Sequence, residues 1–558
     1  MVRYMQTSRR GTKRNSKEAA KSESKRSRKS KTVTDESNSS SQDWSLNTSN
    51  IHINQLPTHV LGKIFSNLNT IDHLRIEKIC RHWRQIAISY SWDNYEMISY
   101  SQVFQDCPPA KVTMCMKVTN RHIQIIMKRA RHHLKVIDLV GFRLDTKLNY
   151  SICSSLKIVP SVHTLYFDYM QLTNSSLSLI GRHLPKLKHL SFRNCFKHTN
   201  MEKGLTKLFS SCQSLESLNV SENEIRNNFL FSSCQSLESL NVSENEILKG
   251  DCFEGLPKTI KKLNISCCFR LKSAAVNGIQ ANCTNLETLI MDQVDTIQTQ
   301  QMNNIFMALK NLTVLHFSEC YGTEFYEGQP NLTALGNLTQ LREMHVSDNL
   351  LINNDVLRAI GQGCRSLQLV NLSMSNRAVT DTGLRHLASL SSLNELRLTG
   401  HRALTDETLI EIANQGKLKI LGLGKCINIS NMSVIMVIRN CKELKTLDVS
   451  FCPNVTQVIF KELDKQMLIR YGRSNPTTTT NSNNDVKKFN LLISRSGAHG
   501  CIPQKYSPWI KIVDHYESDA SGSGGGGGPL GIGNLTPGML VARILHLPHA
   551  LIRELHPV

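Results

Sequence analysis

One pattern recurs along the middle of the chain and leaves few folds open to it. An apolar residue is followed by two of any kind, a second apolar residue, one of any kind, and a third apolar residue. It occurs as Leu134-Ile137-Leu139, Val162-Leu165-Phe167 and Leu187-Leu190-Phe192. It continues without a break to Leu418-Leu421-Leu423 and Leu444-Leu447-Val449. Thirteen copies run from Ile137 to Leu447, 310 residues with a mean spacing near 26. Apolar residues at alternate positions of a short segment mark a strand with one buried face. The rest of each copy is long enough for a return helix. Copies stacked about 4.8 Å apart would build a parallel sheet on a concave side and helices on a convex side. A single copy cannot bury its own apolar row, so the array is the folding unit. The expected class is therefore α/β, a solenoid over residues 134–467, with a degraded further copy around Val112 to Met116.

The 17 cysteines fit this frame. Cys195, Cys268, Cys320, Cys426 and Cys452 follow the strands at the place where other copies carry Asn223, Asn245 or Asn349. Cys212, Cys234, Cys283, Cys364 and Cys441 stand three residues before the first apolar residue. Such regular placement reads as small buried side chains rather than a disulfide framework or a metal set. No Cys-x-x-Cys pair occurs. Thr380-Asp381 and Thr405-Asp406 look like helix starts, with a capping hydroxyl and an acid in the first turn. Residues 208–225 and 230–247 are identical at an offset of 22. Only Arg226 to Phe229 lie between them, so a full return helix will not fit there.

Three other segments differ in character. Residues 1–50 hold 12 Lys and Arg against 5 Asp and Glu and few large apolar groups, so a disordered basic tail is expected. Residues 96–133 connect. Residues 468–558, with a threonine run at 477–480 and a glycine run at 524–528, are expected to be a mostly unstructured tail. No apolar h-region opens the sequence and no run of 18 apolar residues occurs, so neither secretion nor a membrane span is expected.

Residues 52–95 are periodic and apolar. Pro57 suits a first helical turn. Val60, Leu61, Ile64, Phe65 and Leu68 form one helical face, and Ile71, Leu74, Ile79, Trp83 and Ile86 a second set. A helical block this small needs a partner to cover it. Its Leu56-Pro57, Ile64-Phe65, Leu68, Asp72 to Leu74, Ile79-Cys80-Arg81, Trp83 and Trp92 resemble the F-box in order and spacing. The repeats resemble the cysteine-containing class of leucine-rich repeats. Together, over residues 52–467, they are similar to F-box/leucine-rich-repeat proteins. The resemblance implies a noncatalytic substrate receptor of an SCF-type ubiquitin ligase. A Skp-family adaptor would dock on the small all-α F-box and bring a cullin and RING subunit, while the repeats hold a protein substrate. Adaptor contacts are expected from Leu56, Pro57, Ile64, Leu68, Leu74 and Trp83. The plainer reading of the block is a cap over the first repeat's edge.

No metalloprotease, phosphate-loop or nucleophile-elbow motif is present, so neither bond chemistry nor a cofactor is expected. The contribution would be proximity. Strand alternation points one residue per copy out of the concave face. The distinctive ones are Tyr166 and the stretch His316, His345 and Arg397; all four are candidate substrate contacts, and the last three are a candidate patch for an acidic group. A metal-binding His pair and an ordinary solvated surface are the alternatives. Lys13-Arg14 and Lys25-Arg26, with Arg28 and Lys29, resemble a bipartite import signal, which implies importin and a nuclear as well as a cytoplasmic location. Two other functions stay open. One is a repeat scaffold that recruits no ligase. The other is nucleic-acid binding driven by the net charge of +21, against which the neutral Asn- and Ser-rich concave column speaks.

Overall fold

The computed structural model describes residues 53–90, 92, 95–104, 118–142, 149–196, 200–225, 231–321, 331–375, 378–472, 489–498 and 509–513. Two units are distinguished, residues 1–57 and 58–558. The described part of the first is the turn Ile53–Gln55, closed by Leu56 N donating to Ile53 O at 3.2 Å.

Among the described residues, the second unit contains a sixteen-stranded parallel sheet whose strands lie in chain order. Register is kept from copy to copy: Ile137, Leu165, Leu190 and Leu218, each the second apolar residue of its copy, pair in sequence. The three apolar residues of each copy are buried, and return helices such as Asn174–His183 and Asn354–Gly363 cover them with their own buried faces. Each fully buried Leu or Ile contributes about 1.5–3 kcal/mol, and the row is continuous.

The sheet is longer than the apolar pattern indicates. Its first strand is Met97–Ile98, paired with Val136–Ile137; the expected copy at Val112 to Met116 lies outside the described residues. At the other end, the helix Val458–Tyr471 is followed by strands Phe489–Leu492 and Ile510–Val513. Both strands fall within the segment expected to be unstructured. They escape the pattern because Lys488 holds the first apolar place of one and Asp514 the third place of the other.

Two ladders tie the copies together. The slot residue three places after the third apolar residue donates from its side chain to the preceding copy. Asn223 Nδ2 reaches Phe192 O at 2.8 Å, Cys426 Sγ reaches Leu398 O at 3.1 Å and Cys452 Sγ reaches Leu423 O at 3.1 Å. Ser375 Oγ and His401 Nε2 fill the same slot at 3.0 and 2.8 Å. The slot cysteines are thus donors as well as small apolar groups. Burial pushes the thiols of Cys195, Cys268, Cys426 and Cys452 up to about 12, so they keep the proton they donate.

The second ladder is backbone. One residue earlier in each copy, φ is positive, from Tyr169 (62°) and Asn194 (54°) to Phe451 (59°) and Arg495 (52°). Side chains other than Gly adopt this region at a cost of about 1–3 kcal/mol. Here the turn lets the N–H reach the next copy, as Glu244 N does to Ser266 O at 2.8 Å and Phe451 N to Ser494 O at 2.8 Å.

The first-turn acids also act between copies. Asp381 accepts from Thr405 N at 2.9 Å and Thr408 Oγ1 at 2.7 Å, and Asp406 accepts from Ser430 N at 2.7 Å. Each acid joins the start of its own helix to the start of the next. The identical segments diverge as their spacing requires. Leu208–Ser211 ends the helix Glu202–Ser211, whereas the matching Phe231–Ser233 is a single 3-10 turn.

Candidate functional site

Two surfaces follow from this frame. The first is the helical block α1 (Thr58–Ser66), α2 (Thr70–Ile76) and α3 (Arg81–Tyr90). Its own core is Leu61, Phe65, Ile86 and Ala87. Helices α1 and α3 meet at Gly62, where an added Cβ would lie 2.7 Å from Tyr90 Cγ. Helix α2 is anchored to the repeats. Thr70 Oγ1 bonds Tyr95 Oη at 2.9 Å, and Glu77 and Arg129 form a bidentate ion pair with side chains only 8% and 15% exposed.

The six expected adaptor residues separate on this scaffold. Ile64 is 41% exposed although it sits beside buried Phe65, and Leu68 is half-buried just past α1. Pro57 is exposed and Leu56 half-buried. Leu74 and Trp83 are half-buried, each with a contact inside the chain. Leu74 packs against the repeat core, and the Trp83 ring lies 5.1 Å from that of Phe65 within the block. Ile79, read from the sequence as part of an inward set, is 60% exposed in the turn between α2 and α3. Periodicity could not find it, because the turn ends the helical phase before that residue.

The second surface is the outward face of the sheet. His316 and His345 are register partners and stack, centroids 4.2 Å apart and planes inclined by 17°. Arg397 lies two strands further on, with Asn371 between. Tyr166 is six strands before His316 and joins no cluster with it. His345 does not charge near the ordinary histidine pKa. Burial, aided by His316 and Arg397, pushes it down to about 4. Arg397 is not an open cation either, since its guanidinium pairs with Glu395 at 2.6 Å. Asp292, half-buried near His316, is pushed up by desolvation. Among the described residues, no group of three or more His, Cys, Asp or Glu is arranged to hold a metal. Also among them, no helix is long and apolar enough to cross a membrane. The six import residues at 13–29 lie outside the described residues.

Sequence reasoning missed the positive-φ column. Its side chains change from acidic (Glu222, Glu244, Glu319, Asp348) to apolar and basic (Met374, Lys425, Phe451) along the sheet. The available signal was positional, since the column stands two residues after every third apolar residue.

Residues 53–95 match the F-box-like family. Over 387 residues the chain is 21% identical to EEED8.10 of Caenorhabditis elegans, whose name labels it RNA-binding; the match covers 67% of this chain and 47% of that protein. It is 29% identical to F-box/LRR-repeat protein 4 of Bos taurus, over 37% of this chain and 32% of that one. With F-box/LRR-repeat protein 21 of Bos taurus the figures are 24%, 48% and 52%. The chain spans about half the length, or less, of these curated relatives. A solved structure of yeast Rad7 in complex with Elc1 is similar at a TM-score of 0.38 and 14% identity, over 71% of this chain and 92% of that one. The chain has the architecture of an F-box/leucine-rich-repeat protein, with an F-box-like block leading into a leucine-rich-repeat solenoid.

Proposed function

We propose that the chain is the substrate-recognition subunit of an SCF ubiquitin ligase. The F-box-like block would bind a Skp-family adaptor and, through it, a cullin and RING subunit. The repeat surface would hold a protein for ubiquitination, and the chain itself would supply proximity rather than bond chemistry. The observation that carries this reading is the F-box-like block with Ile64 and Ile79 left open to solvent on a firmly anchored scaffold. Adaptor contact is assigned to Leu56, Pro57, Ile64, Leu68 and Ile79. Affinity purification from cells tests it. The Leu56→Ala/Pro57→Ala and Ile64→Asp variants should lose adaptor and cullin while keeping partners held by the repeats. Equal adaptor recovery from wild type and both variants would overturn the reading in favour of a scaffold. In the same cells, removal of residues 1–40 should shift the protein toward the cytoplasm if Lys13-Arg14 and Lys25-Arg26 serve import; an unchanged distribution would discard that part.

A further inference from the structure

The positive-φ column separates two requirements. The turn itself is structural, because its N–H bonds the next copy. The identity of the side chain is not fixed by that bond, since Asn, Glu, Cys, Gln, Asp, Met, Phe and Gly all occupy the position. Asn, Asp and Gly are the residues this conformation favours, and a bulky side chain there is an outlier. Met374 and Phe451 are such outliers and remain 41% and 38% exposed. The turn requires neither side chain.

Five consecutive copies place Met374, Gly400, Lys425, Phe451 and Arg495 side by side in the column. The Met374 side chain lies across Gly400, where an added Cβ would collide with its sulfur. Gly400 thereby lets the thioether extend toward Lys425. The Phe451 ring carries Lys425 Nζ 5.8 Å and Arg495 Cζ 5.7 Å from its centroid. Among the described residues, Lys425 makes no ion pair. These five positions hold apolar and cationic groups and a glycine, and the carboxylate of Asp448 lies alongside, 3.3 Å from where a Cβ on Gly424 would stand.

We infer that this strip is the recognition site for a short acidic protein segment bearing an apolar side chain. The inference rests on the receptor reading and adds the chemical class of its substrate. A carboxylate would meet Lys425, and the apolar side chain would lie on Phe451 and Met374. Strand spacing gives the strip a length of about 19 Å, which suits roughly six extended residues. Length also decides against a nucleic acid. A polyanion continuing along the column would meet Asp348, Glu319, Glu244 and Glu222. Residues 201–350 as a whole hold 17 Asp and Glu against 11 Lys and Arg, while residues 351–500 hold 11 against 19.

The test selects random 16-residue peptides displayed on phage against the full chain. Selected peptides should be enriched in Asp and Glu around an apolar residue. A synthetic copy of one, followed by fluorescence anisotropy, should bind Phe451→Asn and Lys425→Glu at least tenfold more weakly. Asn already occupies this turn at Asn194, so Phe451→Asn keeps the fold. Asp348→Asn should bind as wild type does. Absence of acidic enrichment, or undiminished binding by Phe451→Asn, would overturn the inference. So would retention of a random 20-nucleotide single-stranded RNA pool that Phe451→Asn loses. Adaptor recovery is measured on the same proteins. Its loss with peptide binding intact would sink the ligase reading alone, and the reverse would sink only this one.

Discussion

The slot ladder shows how little one position is asked to do and how firmly it must do it. Asn, Cys, Ser and His share no shape, but each offers a donor to one buried carbonyl of the preceding copy. His401 is the largest occupant and is buried at 4% exposure. Its removal in His401→Ala would take from Leu372 O its side-chain donor, leaving the Ser375 N–H at 3.1 Å, and should cost about 0.5–1.5 kcal/mol. His401→Asn should cost much less, because Asn fills the slot in other copies. Denaturant midpoints of the two variants check this. They also carry a pH signature. Burial lowers the pKa of His401 in the folded chain, whereas an unfolded histidine titrates near 6.5. Below about pH 6.5 the unfolded chain therefore binds more protons than the folded one. The contribution is fully present above that pH and is lost as pH falls toward the folded value. His401→Asn should flatten the decline between pH 7.5 and 5.5; an unchanged slope would show that His401 does not contribute to it.

At the scale of elements, the junction between the F-box-like block and the first repeats turns on Glu77 and Arg129. A buried pair of this kind adds little net stability over an apolar pair, but removal of one partner strands the other. Arg129→Met should destabilise by about 3–5 kcal/mol, and Glu77→Leu/Arg129→Met should recover most of it. Thermal unfolding of the three variants would expose additive losses if the pair were not coupled. Neither residue could be picked from the sequence, since they lie 52 positions apart and resemble any surface charges. The repeat strands, by contrast, were legible almost residue by residue, because alternate apolar positions are the direct consequence of burying one sheet face. Legibility failed where that cause weakened. Met97–Ile98 is a two-residue strand, and the copies at 489–493 and 509–513 substitute a charge at one apolar place each. The adaptor face was readable as a set and not as individuals. Periodicity assigns Ile64 and Phe65 to one face, whereas one is open and the other buried.

For the whole molecule, stability should approximate a sum over copies and their interfaces. The identical segments permit a clean test. Deletion of Arg226–Ile247 leaves Ile225 joined to Leu248 in the same local sequence that Ile247 has now. The shortened protein should fold cooperatively with one strand fewer, and its denaturant m-value should fall by about one copy's share of exposed surface. A broad or biphasic transition would instead indicate that the short-period copy is needed for the flanking ones to stack. The positive-φ turns have a separate consequence. Since the main chain fixes each turn and the core fixes each copy, the column side chains can be exchanged one at a time without altering any buried residue. A solenoid of this kind can be retargeted to a different segment by single substitutions about 26 residues apart, and closely related chains can diverge in what they hold while remaining superimposable in everything that folds them.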